Sequence, residues 1–304
     1  MQISEGFVFV RPGLHLYYRT AGLPLRDSPE VVVVPNASWL AELLDPLAEG
    51  RTLLFFDPRS RGRSSVVSDR RQLSLETDVA DLEAVRRYFR LRRFSLLGTS
   101  YHAAIAAAYA LDNPERVERL LLVCPITPRR PGEWLQELPG PDVLVYPPGV
   151  ASLEEMRRAG LDRTDPVAFC RAWFTDFMLP AQMMDPARIG RFPVEDVCAF
   201  PNEWPAHAMP VYFEHIIPKM RDWDFRPRLP QLAPPLLVVQ GTDDLVPVQA
   251  SREWAAWARD ARFLMLEECG HHPYIEQPEE FFPAAGAFLA GEWPRAAEVV
   301  RRAA

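Results

Sequence analysis

A short apolar strand that runs into a serine-bearing turn constrains this chain most. The strand is Phe94–Leu97, the turn is Gly98–His102, and a helix of small residues follows at Ala103–Tyr109. Gly-x-Ser at a strand-to-helix turn is typical of a nucleophile elbow, which holds the serine in a strained conformation with its hydroxyl exposed above a sheet. A glycine two residues before the serine lets the neighbouring backbone pass close by. The pattern therefore predicts an exposed, reactive serine at Ser100.

Ser100 needs a general base and an orienting carboxylate, because a serine hydroxyl is a poor nucleophile at neutral pH. Two further apolar strands, Pro235–Gln240 and Arg262–Glu267, are each followed by a loop that carries these residue types. The first loop, Gly241–Pro247, holds two aspartates, and the second, Cys269–Pro273, holds two adjacent histidines. Loops at the carboxyl ends of parallel strands form the active site in open sheets, so these groups are expected to meet.

Three loop motifs carry a resemblance to a known family. Phe56–Ser64 is similar to an Asp-x-Arg-x-x-Gly-x-Ser loop, Gly241–Asp244 to a Gly-x-x-Asp loop, and Gly270–Pro278 to a histidine loop. With the chain order Ser, Asp, His, these motifs resemble those of the α/β-hydrolases. Along nearly all its length the chain resembles the prolyl-iminopeptidase-like branch. The resemblance implies an α/β fold, with a mostly parallel central sheet flanked by helices and a helical cap inserted over the active site.

The resemblance assigns catalytic roles by position. It implies that Ser100 is the nucleophile, that His271 is the general base and acid, and that Asp244 is the orienting carboxylate. Asp243 remains an alternative, because Gly-x-x-Asp spacing favours Asp244 whereas the distance back from the following proline suits Asp243. His272 is the alternative base, although the Gly-His-x-Pro pattern favours His271.

An oxyanion hole needs two backbone N–H donors aimed at the developing negative charge. One is expected at Tyr101, directly after the nucleophile, and the other at Ala37 or Asn36, after the apolar run Val31–Val34. That loop reads Pro-Asn where the superfamily usually has His-Gly, which makes true prolyl aminopeptidase activity less expected. His102 stands where the elbow normally has a small residue. We expect it to be buried and bonded to backbone, because the residue two after the nucleophile points away from the site.

Composition and charge fit a large enzyme core. The 304 residues are 48% hydrophobic, and the net charge of -7 argues against a nucleic-acid partner. No signal-peptide pattern and no membrane-spanning apolar run are found, so we expect a cytoplasmic protein with no membrane partner. The four cysteines, Cys124, Cys170, Cys198 and Cys269, lack metal spacing and are expected to be buried reduced thiols. We expect no metal and no cofactor, and a homo-oligomer is left open.

The rest of the chain alternates between strand and helix patterns. Alternating residues over Phe7–Val10 and Leu14–Tyr18 predict an antiparallel hairpin. The continuous apolar runs Val31–Val34 and Leu53–Phe56 predict strands buried on both faces. Apolar residues at helical spacing over Pro278–Leu289 predict the closing helix.

The alternation breaks in the middle of the chain. We therefore predict a hydrolase core over residues 1–126 and 229–304 and a helical cap over residues 127–228. The cap is rich in methionine and aromatic residues, which make an adaptable apolar lining. The expected substrate-binding residues are Trp39, Trp173, Phe177, Trp204 and Glu214. The peptidase resemblance implies that cap carboxylates such as Glu195, Glu203 and Glu214 are candidates to bind a substrate amino group.

The predicted reaction is acyl transfer from a small, fairly apolar ester or amide to water. His271 deprotonates Ser100, which attacks the carbonyl, and water then hydrolyses the acyl-enzyme. A proline-type aminopeptidase and a carbon–carbon bond hydrolase on the same triad are alternatives. A non-catalytic binding protein on a hydrolase scaffold is an alternative of a different class, motivated by the Pro-Asn loop and His102. The complete Ser, Asp and His set argues against it.

Overall fold

A computed structural model describes residues 1–130 and 147–301. These residues form one eight-stranded sheet in the order β1-β2-β4-β3-β5-β6-β7-β8, in which β1, β2 and β4 pair antiparallel and the neighbours from β4 to β8 pair in parallel. The strands are β1 Gln2–Arg11, β2 Leu14–Gly22, β3 Val31–Val34, β4 Thr52–Phe56, β5 Phe94–Ser100, β6 Val117–Pro125, β7 Leu236–Gly241 and β8 Ala261–Leu266. The predicted α/β class and mostly parallel sheet are confirmed.

Helices flank the sheet and fill the segment between β6 and β7. Those of the described residues are α1 Ala37–Leu40, α2 Leu75–Tyr88, α3 His102–Asp112, α4 Pro147–Arg158, α5 Leu161–Thr164, α6 Pro166–Ala172, α7 Leu179–Gln182, α8 Val194–Cys198, α9 Pro205–Pro210, α10 Ile217–Met220, α11 Val248–Trp257, α12 Pro273–Glu276 and α13 Pro278–Leu289. Two six-residue π-helical turns lie at Trp173–Met178 and Val211–Ile216. None of these helices is long and apolar enough to cross a membrane.

Both faces of the sheet are apolar and covered along the central strands β3 to β7, as the continuous apolar runs predict. Along β3, Val31 and Val33 pack with the residues of α2, α3 and α11, whereas Val32 and Val34 pack with those of α1 and α13. Burial on both faces fixes the strand register, because a one-residue slip exchanges the faces on which the side chains lie. The loops at the carboxyl ends of the parallel strands therefore stand on a rigid base.

Residues 127–228, which we call the insertion, connect β6 to β7. Their described part holds α4 to α10 and no strand, and positions 131–146 of the predicted cap lie outside the described residues. The insertion shares a hydrophobic cluster with the core, in which Trp173 and Phe174 join residues of α1 and α13. It is therefore packed on the core rather than extended from it.

A disulfide joins Cys170 in α6 to Cys198 in α8. The prediction of four reduced thiols is wrong for this pair. It rested on the compartment rule and on the lack of metal spacing, whereas pairing depends on how two insertion helices pack, which places the two Cα atoms 5.8 Å apart. The core cysteines, Cys124 and Cys269, are free and buried as expected.

Candidate active site

Ser100 closes β5 in the left-handed region of backbone space, with φ +49°. This conformation is costly for a residue with a side chain and persists where the surrounding structure enforces it. The enforcement is tight packing: a Cβ on Gly98 would lie 2.7 Å from the Ala103 Cα, so only glycine lets α3 fold back against β5. The Ser100 carbonyl accepts a hydrogen bond from the Ile126 N–H at 3.0 Å. This is the elbow geometry that the sequence predicts.

His271 and Asp244 form a hydrogen-bonded pair at the ends of the two neighbouring strands. Nδ1 of His271 lies 2.8 Å from Oδ1 of Asp244, whose side chain is fully buried. The carboxylate also accepts hydrogen bonds from Gln240 Nε2 at 2.7 Å and from the Val246 N–H at 3.0 Å. Asp243 is exposed and bonds to its neighbour Thr242. The structure therefore brings Asp244, and not Asp243, to the imidazole.

His271 and Asp244 each stabilise the charged form of the other. Burial disfavours the charged imidazole of His271, but the charge and the hydrogen bond of Asp244 outweigh it and raise the pKa of His271 above its ordinary value. Burial likewise opposes ionisation of Asp244, and His271 outweighs it so that the pKa of Asp244 is lowered. Asp244 is thus an anion that accepts the Nδ1 proton, which leaves Nε2 of His271 as the basic atom. No described residue bonds to Nε2, and nucleophile–base bonds in free enzymes are often long.

The backbone N–H groups predicted for the oxyanion hole differ in whether another residue accepts a hydrogen bond from them. No described residue accepts a hydrogen bond from the N–H of Tyr101 or of Asn36, so both are open for an oxyanion. The Ala37 N–H, the other predicted donor, points instead to Asp57 Oδ1 at 2.9 Å. The Asn36 side chain caps α1 by accepting from the Trp39 N–H at 3.2 Å. The structure therefore places Asn36, and not Ala37, as the second open donor.

The side chains after the nucleophile are anchored away from it. The Tyr101 hydroxyl donates to Asp78 Oδ2 at 2.8 Å, and Asp78 also pairs with the buried Arg61. His102 is buried, and burial together with the nearby Arg61 charge lowers its pKa to about 3. The Tyr212 hydroxyl of the insertion lies 3.4 Å from His102 Nε2. His102 is thus a neutral packing residue, as the sequence predicts.

Aromatic side chains from the core and the insertion meet beside the histidine loop. The Trp39 ring lies 5.3 Å from that of Phe174 and 5.6 Å from that of Phe192. Trp173 extends the cluster at 5.0 Å from Phe174, and Phe177 lies 6.0 Å from Trp173. Of the predicted substrate-binding residues, Trp39, Trp173 and Phe177 therefore lie together. A fourth, Trp204, packs against the same hydrophobic cluster.

Of the three candidate carboxylates of the insertion, Glu203 is the one with a hydrogen bond to this cluster among the described residues. Glu214 is exposed, and Glu195 is an exposed partner of Arg171. Glu203 is buried and bridges the core: Oε2 accepts from Trp39 Nε1 at 2.7 Å, and Oε1 accepts from the Gly62 N–H at 2.5 Å. Burial, with the charge of Asp57, raises the pKa of Glu203 to about 7.

Comparison with known proteins agrees with this geometry. Residues 34–278 match the family model described as alpha/beta hydrolase fold. The chain belongs to that family. It is 26% identical over 304 residues to a proline iminopeptidase of Lactobacillus helveticus, with 92% of this chain and 96% of the relative covered.

Solved structures give the same fold. The proline iminopeptidase of Mycobacterium smegmatis superposes with a TM-score of 0.63 at 20% identity, covering 94% of this chain and 98% of that one. The enol-lactonase of Burkholderia xenovorans LB400 superposes with a TM-score of 0.65 at 21% identity, covering 91% and 97%. The family match makes the chain a hydrolase enzyme, and the two named proline iminopeptidases are proteins to which it is similar.

Sequence reasoning missed several residues of this hydrolase site. Gln240, in β7, donates a hydrogen bond to Asp244. In the sequence it looks like an ordinary polar residue at the end of a strand. Phe192 joins the aromatic cluster from a proline-rich turn without periodicity. Gln182 contacts both histidines of the histidine loop from the insertion, 89 residues before His271, and no local signal marks it.

Proposed function

We propose that this hydrolase cleaves an ester or amide bond of a small, fairly apolar substrate through an acyl-enzyme on Ser100. The observation that supports it most is the buried His271–Asp244 pair, joined at 2.8 Å between the loops after β7 and β8, at the same edge of the sheet as the strained Ser100 turn. A binding protein has no need of an imidazole whose basic nitrogen is free and whose other nitrogen is held by a buried anion.

Each residue of the proposed site has its own role in the reaction. Nε2 of His271 takes the Ser100 hydroxyl proton while Oγ attacks the carbonyl carbon, and Asp244 stabilises the resulting imidazolium. The N–H groups of Tyr101 and Asn36 are placed to stabilise the oxyanion. The intermediate expels the leaving group, which takes the proton from His271. A water molecule, deprotonated by the same nitrogen, then releases the acid and restores Ser100.

The insertion is proposed to act as the cap of this site. Its aromatic residues Trp173, Phe174 and Phe177 meet Trp39 of the core beside the histidine loop. A lining of this kind favours an apolar acyl or alcohol group, because such pockets gain affinity by removing apolar surface from water.

A proline-type aminopeptidase is the second candidate, because a relative at 26% identity is a proline iminopeptidase. A protonated substrate amine is stabilised best by an ionised carboxylate. Among the described residues, the carboxylate that bonds to the predicted pocket residue Trp39 is Glu203; both of its oxygens already accept hydrogen bonds, and burial raises its pKa, which disfavours the charged form. This arrangement favours an ester or uncharged amide over a peptide amino terminus.

Turnover of a p-nitrophenyl ester chain-length series beside proline p-nitroanilide tests the proposal. We compare wild type with Ser100→Ala and with a control, Ser152→Ala, whose substitution lies in an insertion helix. We expect ester turnover in wild type and the control and none in Ser100→Ala. Turnover of the anilide alone moves the assignment to the aminopeptidase. Ester turnover that persists in Ser100→Ala, or silence without fluorophosphonate labelling, overturns the serine mechanism.

A further inference from the structure

The histidine loop is bonded to the insertion through one residue, Gln182, at the end of α7. The His271 N–H donates to the Gln182 carbonyl oxygen at 2.7 Å. The Gln182 side chain reaches the next residue, with Oε1 2.8 Å from His272 Nε2. A Cβ on Gly270 would lie 2.3 Å from the Gln182 carbonyl oxygen, so the two backbones are in direct contact. One insertion residue thus holds the main chain of the base and the ring beside it.

Glu276 strengthens this attachment from the core side. Its buried carboxylate accepts hydrogen bonds from the Met184 N–H at 2.7 Å and the Asp185 N–H at 3.2 Å, both in the insertion. The other oxygen accepts from the Gly270 N–H at 2.9 Å, directly before His271. The segment after Gln182 and the residue before the base therefore share one anion.

The contacts of His272 require a neutral, oriented ring. Burial and the neighbouring His271 charge lower the pKa of His272 to about 3, so the imidazole carries one N–H. Because Gln182 Oε1 is an acceptor, Nε2 of His272 must donate to it. Nδ1 then accepts from the Tyr274 hydroxyl at 2.8 Å. Both ring nitrogens of His272 have a partner, which fixes the ring beside the base.

We propose that Gln182 is a positioning residue for His271, so that the insertion holds the catalytic base in place as well as covering the site. This inference rests on the proposed function. Asp244 fixes the imidazole of His271 and Gln182 fixes its main chain, and the two together leave the ring little freedom. A displacement of the base by about 1 Å is enough to lower a rate by about 100-fold.

Gln182→Met tests the side-chain part of this role, because it removes Oε1, which holds the His272 ring, at nearly constant length and keeps the carbonyl that accepts from the His271 N–H. We expect kcat for a p-nitrophenyl ester to fall by about 10- to 100-fold with KM within about twofold. Fluorophosphonate labelling of Ser100 should slow by the same factor. Gln182→Glu keeps an acceptor oxygen and should recover most of kcat. Gln249→Met, on the exposed side of α11, is the matched control and should match wild type.

The outcomes separate this proposal from the function on which it rests. A KM increase with unchanged kcat and labelling rate makes Gln182 a pocket wall and overturns the positioning role. Retained turnover in Ser100→Ala overturns the serine mechanism instead. If circular dichroism shows that Gln182→Met does not fold, Tyr274→Phe loosens the same ring from its other side. We expect a smaller fall in kcat there, and an unchanged kcat contradicts the proposal.

Discussion

In the core, the side chains that we propose carry the chemistry lie at the ends of regular strands, whereas in the insertion the side chains that reach the site come from short helices and turns. Ser100 ends β5, and Asp244 and His271 lie in the loops that follow β7 and β8. Gln182 and Glu203 come from a four-residue helix and a three-residue turn. The difference suggests that the reaction type is built into the sheet, and that the insertion adjusts how the reacting groups and the substrate are held.

The largest expected effect tests the core side of this comparison. Asp244→Asn removes the anion that raises the pKa of His271 and orients its ring, and we expect kcat to fall by about 10⁴-fold. Activity requires neutral His271, so wild-type kcat/KM declines as the pH falls through its pKa. In Asp244→Asn the remaining activity should persist to lower pH, because His271 loses the partner that favours its charged form. Steady-state rates across pH measure both effects.

Asp243→Asn is the control for that variant, because the exposed side chain of Asp243 bonds only to Thr242 among the described residues. Its rates should stay within about twofold of wild type. A loss in Asp243→Asn with wild-type rates in Asp244→Asn would exchange the two residues and contradict the structure.

The next effect concerns the insertion alone. The Cys170–Cys198 disulfide closes a 28-residue separation, so the double variant with serine at both positions should unfold at lower denaturant, with a loss of about 3.5 kcal/mol. Thiol titration of the denatured, unreduced protein should find two free thiols, Cys124 and Cys269. Four free thiols would show that Cys170 and Cys198 are reduced, as the sequence predicts.

A smaller effect tests the contact between the two regions. Glu203 has a pKa of about 7 in the folded protein against an ordinary value of 4.5, so the folded state binds a proton that the unfolded state releases. Its contribution to stability is present at low pH and is lost as pH rises from about 4.5 through 7. Wild type should therefore lose roughly 2 kcal/mol more than Glu203→Gln over this range in denaturant unfolding. Parallel stability curves for the two proteins would contradict a raised pKa.

The smallest expected effect lies at the edge of the core. Asn36→Ala removes the side chain that caps α1 but keeps the backbone N–H that is open to an oxyanion. We expect a stability loss of about 1 kcal/mol with little change in kcat. A fall in kcat of more than about 10-fold at unchanged stability would show that the Asn36 side chain takes part in catalysis.

Sequence reasoning reached those parts of the site that follow from strand patterns. The Ser100 turn and the histidine loop are predictable because each ends an apolar run that can only be a buried strand. The choice between Asp243 and Asp244 was not, because adjacent loop residues point in different directions and only the fold decides which one meets His271. Ala37 and Asn36 are both candidate donors in the sequence, because only the fold shows that Asp57 accepts the Ala37 N–H.

The helical and apolar character of the insertion is predictable from the sequence, but its contacts are not. Gln182 and the Cys170–Cys198 pair act across long stretches of sequence, through helix packing that leaves no periodic signal. Short helices between prolines carry little pattern, so their arrangement depends on tertiary contacts with the core.

The most direct test of the account is to mix the protein rapidly with p-nitrophenyl acetate, quench it with acid, and locate the acyl group by mass spectrometry of the digested chain. The account predicts one acetyl group per molecule on the peptide that contains Ser100, absent in Ser100→Ala and present in Ser152→Ala. Turnover with no acyl-protein, or an acyl group on another side chain in the active protein, would contradict it.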